Sequence, residues 1–246
     1  MNPFKNGDIA GVYVIHARQF TDRAAQMKAQ LDRLEIPFEF VEPFDADVLD
    51  ANALAQFQDG RKKMARGQKS CTLKHLEALR RIVAGDQRLA LVLEDDAIFD
   101  RKFMSEMEKV VAEAKSISEP RVIYVGTGGN MFVPWRQLRR GRRLYEATRS
   151  RCTEAYLIGA PAARVRLAWL EQNKIDRPVD HLFTLIDQRT GIKMYWNHPG
   201  VVEQGSMTGF DFSTQERGNR FNQLWLVKFN FYLQRLRRKY IYRFFQ

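Results

Sequence analysis

Cysteine is nearly absent from this sequence: Cys71 and Cys152 are the two in 246 residues. They form no Cys-x-x-Cys pair and no Cys/His ligand spacing, which argues against a zinc site. Each lies in a segment that reads as buried, so both are expected as reduced core thiols of a cytosolic protein. Long apolar runs are missing too. The run at 12–15 is too short for the apolar region of a signal peptide, and no stretch approaches the roughly 20 apolar residues of a membrane span. The expectation is a cytoplasmic protein whose membrane contacts are peripheral. There is no internal repeat and no low-complexity linker, so residues 1–220 read as one domain and 221–246 as an appended helix. Acid is locally scarce. Residues 134–151 hold seven Arg and one Glu, and the last 19 residues hold six Lys or Arg and no acid.

What is present is basic. Forty Lys and Arg against 29 Asp and Glu give a net charge of +11, which points to anionic partners: nucleic acid, nucleotide or anionic lipid. Hydrophobic residues make up 45% of the chain, enough for a full core. Strand-like and helical segments alternate, which favours an α/β fold. Residues 11–15 form a short buried strand. Ala24, Met27, Leu31 and Leu34 share one helical face, with Thr21 or Asp22 suited to the N-cap. A second strand at 37–41 completes a β-α-β opening and implies a parallel sheet. Further helices are expected at 70–83, 103–114 and 162–172, and strands at 89–93, 122–125, 155–158 and 193–196. Residues 130–151 read as a surface loop or hairpin.

The strongest chemical feature is the run from Leu89 to Phe99. An apolar strand delivers Glu94, Asp95 and Asp96 to its C-terminal end, where open α/β sheets bind ligands. Three adjacent carboxylates repel one another unless a cation or donors offset the charge. A divalent ion bridging carboxylate and diphosphate does so. The structural alternative is an acidic turn, or a helix start with Asp96 as its cap.

Six short motifs in order carry a resemblance. Val12-Tyr13-Val14-Ile15 is followed by Thr21-Asp22-Arg23. Then come Cys71-Thr72-Leu73-Lys74-His75, Leu91-Val92-Leu93-Glu94-Asp95-Asp96 and Thr153-Glu154-Ala155-Tyr156-Leu157-Ile158. Pro178-Val179-Asp180 precedes the last, Pro199 with Val201-Val202-Glu203-Gln204 and Ser206. Together they resemble glycosyltransferase family 25, the bacterial lipooligosaccharide galactosyltransferases and their relatives. The ordered set is more specific than any one motif. Lys74 stands where that family usually has Ser, His16-Ala17 replaces Asn-Leu, and Ser70 replaces Gly. These departures leave the donor sugar less determined than the fold.

The resemblance implies a nucleotide-diphospho-sugar transferase fold of the A type, Rossmann-like, with a mostly parallel sheet. It implies an inverting, metal-dependent transfer of galactose from UDP-galactose, with Mn²⁺ or Mg²⁺, to a hydroxyl of a lipooligosaccharide or lipopolysaccharide acceptor, giving a β-linkage. Val14, Arg23, His75, Glu94 and Asp95 are then expected at the donor and Asp96 at the metal, and Asp180 is the expected general base. The residues themselves leave alternatives open. Asp180 also suits the N-cap of a helix at 181–187. Arg23 suits a phosphate fork or a solvated helix charge. His75 suits a nucleotide contact or a structural hydrogen bond. His198 suits the metal shell or a turn.

A basic helix from residue 221 onward places Trp225, Phe229, Tyr232, Leu233, Leu236, Tyr240 and Phe244 on one stripe with Lys and Arg beside it. That is the composition of a helix lying on an anionic membrane surface, here the inner face of the cell membrane. The alternative is a helix docked on the domain. Two other functions compete: a basic nucleic-acid-binding protein, although no nucleic-acid motif is present, and a metal-dependent phosphohydrolase using the same acids.

Overall fold

Successive side chains of a strand point to opposite faces, so a run apolar at every position needs cover on both. The computed structural model describes residues 2–60, 63–129, 131–205, 229 and 232–242. In it, β1 (Gly11–Ile15) and β3 (Ala90–Glu94) lie side by side in parallel. Val12, Val14, Leu91 and Leu93 join one core with α1 (Thr21–Arg33) and α4 (Phe103–Ala114). Tyr13, Ile15, Ala90 and Val92 join the opposite core with α3 (Arg66–Ala84) and α6 (Val179–Thr190), where α5 (Ala160–Glu171) also packs. The result is a three-layer α/β/α arrangement.

The sheet is completed by β2 (Glu39–Val41), β5 (Arg121–Tyr124), β6 (Leu144–Ala147), β7 (Ala155–Ile158) and β8 (Lys193–Asn197). Its seven strands run in the order β2-β1-β3-β7-β5-β8-β6. Five share one direction, while β7 is antiparallel to β3 and β5, and β6 is antiparallel to β8. Two short strands, β4 (Ala97–Phe99) and β9 (Val202–Gln204), pair antiparallel beside the main sheet. A single turn of helix, α2 (Ala51–Leu54), is capped by the Asp50 side chain.

Several boundaries differ from the sequence reading. α3 begins at Arg66, ahead of residue 70, because the Gln68 side chain accepts the Ala65 N–H and caps an earlier start. α1 begins at Thr21 with Phe20 at its N-cap and no side-chain bond there. Within 134–151, β6 forms the sheet edge; Leu144 and Tyr145 are buried, which holds that part of the basic segment down. Residues 232–242 are helical, and Arg237–Tyr242 form a π-helical turn. Trp225, Phe244 and Ser206 lie outside the described residues. Among those described, no helix is long and apolar enough to cross a membrane.

Candidate functional site

β3 ends at Glu94, and Asp95-Asp96 turn the chain into β4. Neighbouring strands pin this turn from both sides: the Asp95 N–H donates to Ile15 O at 3.0 Å, and the Glu94 N–H donates to Glu154 O at 3.0 Å. Because β7 is antiparallel, its start at Thr153-Glu154 meets the C-terminal end of β3. The three acids therefore sit at the edge of the sheet where β1 and β3 both finish.

The acids have different partners. Asp95 is buried and engaged on both oxygens: His16 Nδ1 lies 2.8 Å from Oδ2, and Arg23 donates to Oδ1 at 2.9 Å. Glu94 is partly exposed and accepts from Thr153 Oγ1 at 2.7 Å. Its Oε1 also lies 3.5 Å from His75 Nε2. Asp96 is buried, and its carbonyl accepts the Gly205 N–H at 2.7 Å, joining the turn to the chain after β9.

α3 lies across this edge. His75 is fully buried, with Nδ1 3.1 Å from the Tyr156 hydroxyl and its ring stacked on Tyr156. Cys71, one turn earlier, lies with His75 and Glu94 in a compact group. Burial first, then the charges of Glu94, Asp95, Asp96 and Asp180, hold the Cys71 thiol well above its ordinary range. Burial likewise raises Cys152, with Glu154 next.

Asp180 lies in the first turn of α6, whose N-cap position is Pro178. Its carbonyl, not its carboxylate, accepts from Ser150 Oγ at 2.8 Å and Thr184 Oγ1 at 3.0 Å. Val14 is fully buried in the apolar core, so its side chain serves packing. Arg23 is buried against Asp95 rather than solvated. His198 follows β8; its N–H donates to Arg143 O at 2.8 Å and its ring meets the edge of Tyr145 on β6. In the sheet order, β7 and β5 separate that edge from β3.

Other polar residues at this rim were named in the sequence only within motifs or as departures from the family pattern, and none was given a role. His16 holds Asp95; a polar residue directly after a buried strand was the available signal. Lys74 is buried, paired with Asp45 at 2.9 Å, and Arg18 donates to the other Asp45 oxygen at 2.8 Å. This ties the loop after β2 to α3. A lysine inside an apolar helical face was the signal there. Glu154 is fully buried, and its Oε1 accepts the Gly128 N–H at 2.6 Å. Burial raises its pKa to about 8. Gly126 must be glycine in this arrangement, since a Cβ would collide with that carboxylate.

Residues 9–130, spanning β1 to the loop after β5, match the family model described as Glycosyltransferase family 25 (LPS biosynthesis protein). The chain belongs to glycosyltransferase family 25. Among its family 25 relatives, a glycosyltransferase 25 family member of Aedes aegypti is 26% identical over 203 residues, 78% of this chain and 32% of that protein. Procollagen galactosyltransferase 1 of Danio rerio is 26% identical over 200 residues, 76% of this chain and 33% of that protein. The inactive glycosyltransferase 25 family member 3 of Homo sapiens is 28% identical over 127 residues, 47% of this chain and 21% of that protein. The chain spans no more than about a third of the length of these family 25 relatives.

Proposed function

We propose that this chain is an inverting, metal-dependent glycosyltransferase domain of the A-type nucleotide-diphospho-sugar transferase fold. It moves galactose from UDP-galactose to a hydroxyl of a lipooligosaccharide-type acceptor and forms a β-linkage. The observation that carries this reading is the convergence of carboxylates. The one thiol of Cys71 feels Glu94, Asp95 and Asp96 from the end of β3 and Asp180 from the start of α6. Glu94, Asp95 and Asp96 lie where β3 ends beside the end of β1, and the carboxyl ends of parallel strands are where open α/β sheets bind ligands. Galactose is supported by relatives named procollagen galactosyltransferases, and a lipid-linked glycan acceptor by the family's description as an LPS biosynthesis protein.

Roles follow from the surroundings of each acid. Asp95 is committed to His16 and Arg23 and so fixes the turn. The carboxylate oxygens of Asp96 are hard donors suited to Mn²⁺ or Mg²⁺. An ion held there would offset the charge of the departing diphosphate. Asp180, with 33% of its side chain in solvent, is open to an acceptor. Its carboxylate takes the acceptor hydroxyl proton as that oxygen bonds to the sugar C1. The bond from C1 to the diphosphate oxygen breaks, and UDP leaves with the electron pair. One displacement converts the α-linked donor into a β-linked product. Residues 221–246 then hold the domain at the anionic inner face of the membrane, near a lipid-linked acceptor.

The test is UDP release from a panel of UDP-sugars with Mn²⁺ or Mg²⁺, with and without oligosaccharide acceptor. UDP-galactose is expected to turn over only with acceptor present, and Asp96→Ala to abolish turnover with the circular dichroism spectrum unchanged. Full activity in Asp96→Ala, or in excess chelator, removes the metal role. Equal release without acceptor identifies a hydrolase. Salt-sensitive DNA retention with no sugar-nucleotide binding identifies a nucleic-acid-binding protein.

A further inference from the structure

We propose that Cys71, His75 and Glu94 form a second cation site, for a borderline-soft divalent ion of the zinc type. The site is separate from the hard-oxygen position at Asp96 and does not rest on the transferase reading. One ligand atom from each residue lies within 4.8 Å of the other two. Cys71 and His75 are four residues apart on α3 and so share one helical face. Glu94 ends the strand beneath that face, its Oε1 3.5 Å from His75 Nε2.

The second observation is His75 itself. The ring is fully buried, yet Nε2 has no hydrogen-bond partner. Buried polar atoms are nearly always paired, so an orphan aimed at a thiol and a carboxylate calls for a ligand. Nδ1 lies 3.1 Å from the Tyr156 hydroxyl. With Nδ1–H donating to that oxygen, the lone pair falls on Nε2, facing Cys71 and Glu94. Metal-bound histidines are oriented in the same way by a partner on the far nitrogen. Thr153 Oγ1, donating to Glu94 Oε1 at 2.7 Å, orients the carboxylate likewise. A sulfur, nitrogen and oxygen set suits Zn²⁺, whereas Mg²⁺ and Mn²⁺ favour oxygen. Three protein ligands leave a fourth position for water or a ligand. Glu94 has 19% of its side chain in solvent, which gives an ion a way in.

The test is a titration of the full chain with Co²⁺, a coloured stand-in for Zn²⁺. Binding at this site is expected to produce a thiolate-to-cobalt charge-transfer band in the near ultraviolet, together with the visible bands of a four-coordinate ion. Zn²⁺ should bleach both and Mg²⁺ should not. Cys71→Ser should lose the charge-transfer band, while Cys152→Ser and Asp96→Ala keep it. Retention in Asp96→Ala separates this site from the metal of the transfer reaction, whatever becomes of turnover. His75→Gln should weaken cobalt binding at least tenfold. A wild-type chain with no charge-transfer band, or a band that survives Cys71→Ser, overturns the proposal.

Discussion

Asp180 has a third of its side chain in solvent, whereas Glu154 has none. That difference sets them different tasks at one rim of the sheet. Under the proposed function, Asp180 is the residue that accepts the proton of the acceptor hydroxyl. Asp180→Asn keeps the shape and removes the basicity. Turnover should fall by roughly 10²–10⁴-fold while UDP affinity is retained; normal turnover would assign the base elsewhere. Glu154 instead keeps its own proton, with a pKa raised from 4.5 to about 8 chiefly by burial. The unfolded chain loses this proton near pH 4.5 and the folded chain near pH 8. Between those values the native state binds more protons, so stability falls as pH rises. Glu154→Gln carries no titratable proton and keeps an acceptor for the Gly128 N–H. Its melting temperature should gain on the wild type as pH is raised through that window. A margin that stays constant with pH would mean that Glu154 is ionised in the fold throughout.

At the scale of elements, β1 and β3 were legible because residues 12–15 and 90–93 are apolar at every position and are covered on both faces. The β-α-β opening was legible for the same reason, and it made a parallel pairing the natural expectation. The direction of β7 was not legible. An apolar run reports burial but not orientation, and β7 enters the sheet backwards between β3 and β5. The three-residue strands β4 and β9 are too short to show a period of two. The candidate site was legible where chemistry is contiguous, as at Glu94-Asp95-Asp96. It was hidden where docking creates it. Cys71 and His75 are visible helical neighbours, but only the packing of α3 over β3 brings Glu94 to them. Sequence spacing therefore gave no sign of the group proposed here as a zinc-type site. The same holds for the joint between α5 and α6, where Arg166 donates to both Asp187 oxygens at 2.8 and 2.7 Å with both side chains fully buried. Arg166 also donates to the Tyr124 hydroxyl at 3.2 Å, tying both helices to β5. Removing one partner strands a buried charge, so Asp187→Ala should cost about 3–5 kcal/mol in urea unfolding. The pair Arg166→Met with Asp187→Leu should recover most of that loss. A small effect of Asp187→Ala alone would show that water reaches the joint.

At the scale of the whole molecule, the charge of +11 is concentrated rather than spread. The last 19 residues carry six Lys or Arg and no acid. The described part of this segment covers little of its apolar surface: Phe229, Tyr232, Leu233, Leu236, Tyr240 and Ile241 are all exposed. Positions 229, 233, 236 and 240 fall at helical spacing on one stripe, with basic residues beside it. A docked helix would bury that stripe. A helix lying in a membrane interface presents it outward. Arg235 pairs with Glu203 on β9, next to the chain that closes over Asp96, so the segment is tied to the rim of the candidate site. Each basic residue near an anionic surface contributes about 1 kcal/mol, and salt screens the attraction over roughly 8 Å. Removal of 221–246 should therefore release the protein from vesicles rich in anionic lipid while activity on a soluble acceptor is kept. Wild-type binding should weaken as salt is raised, and the joint change of Phe229, Leu233 and Leu236 to Ser should lower binding at every salt concentration. Equal vesicle binding before and after truncation would place the membrane contact elsewhere. Unfolding of the truncated chain, read by circular dichroism, would show instead that the segment is part of the domain's own core.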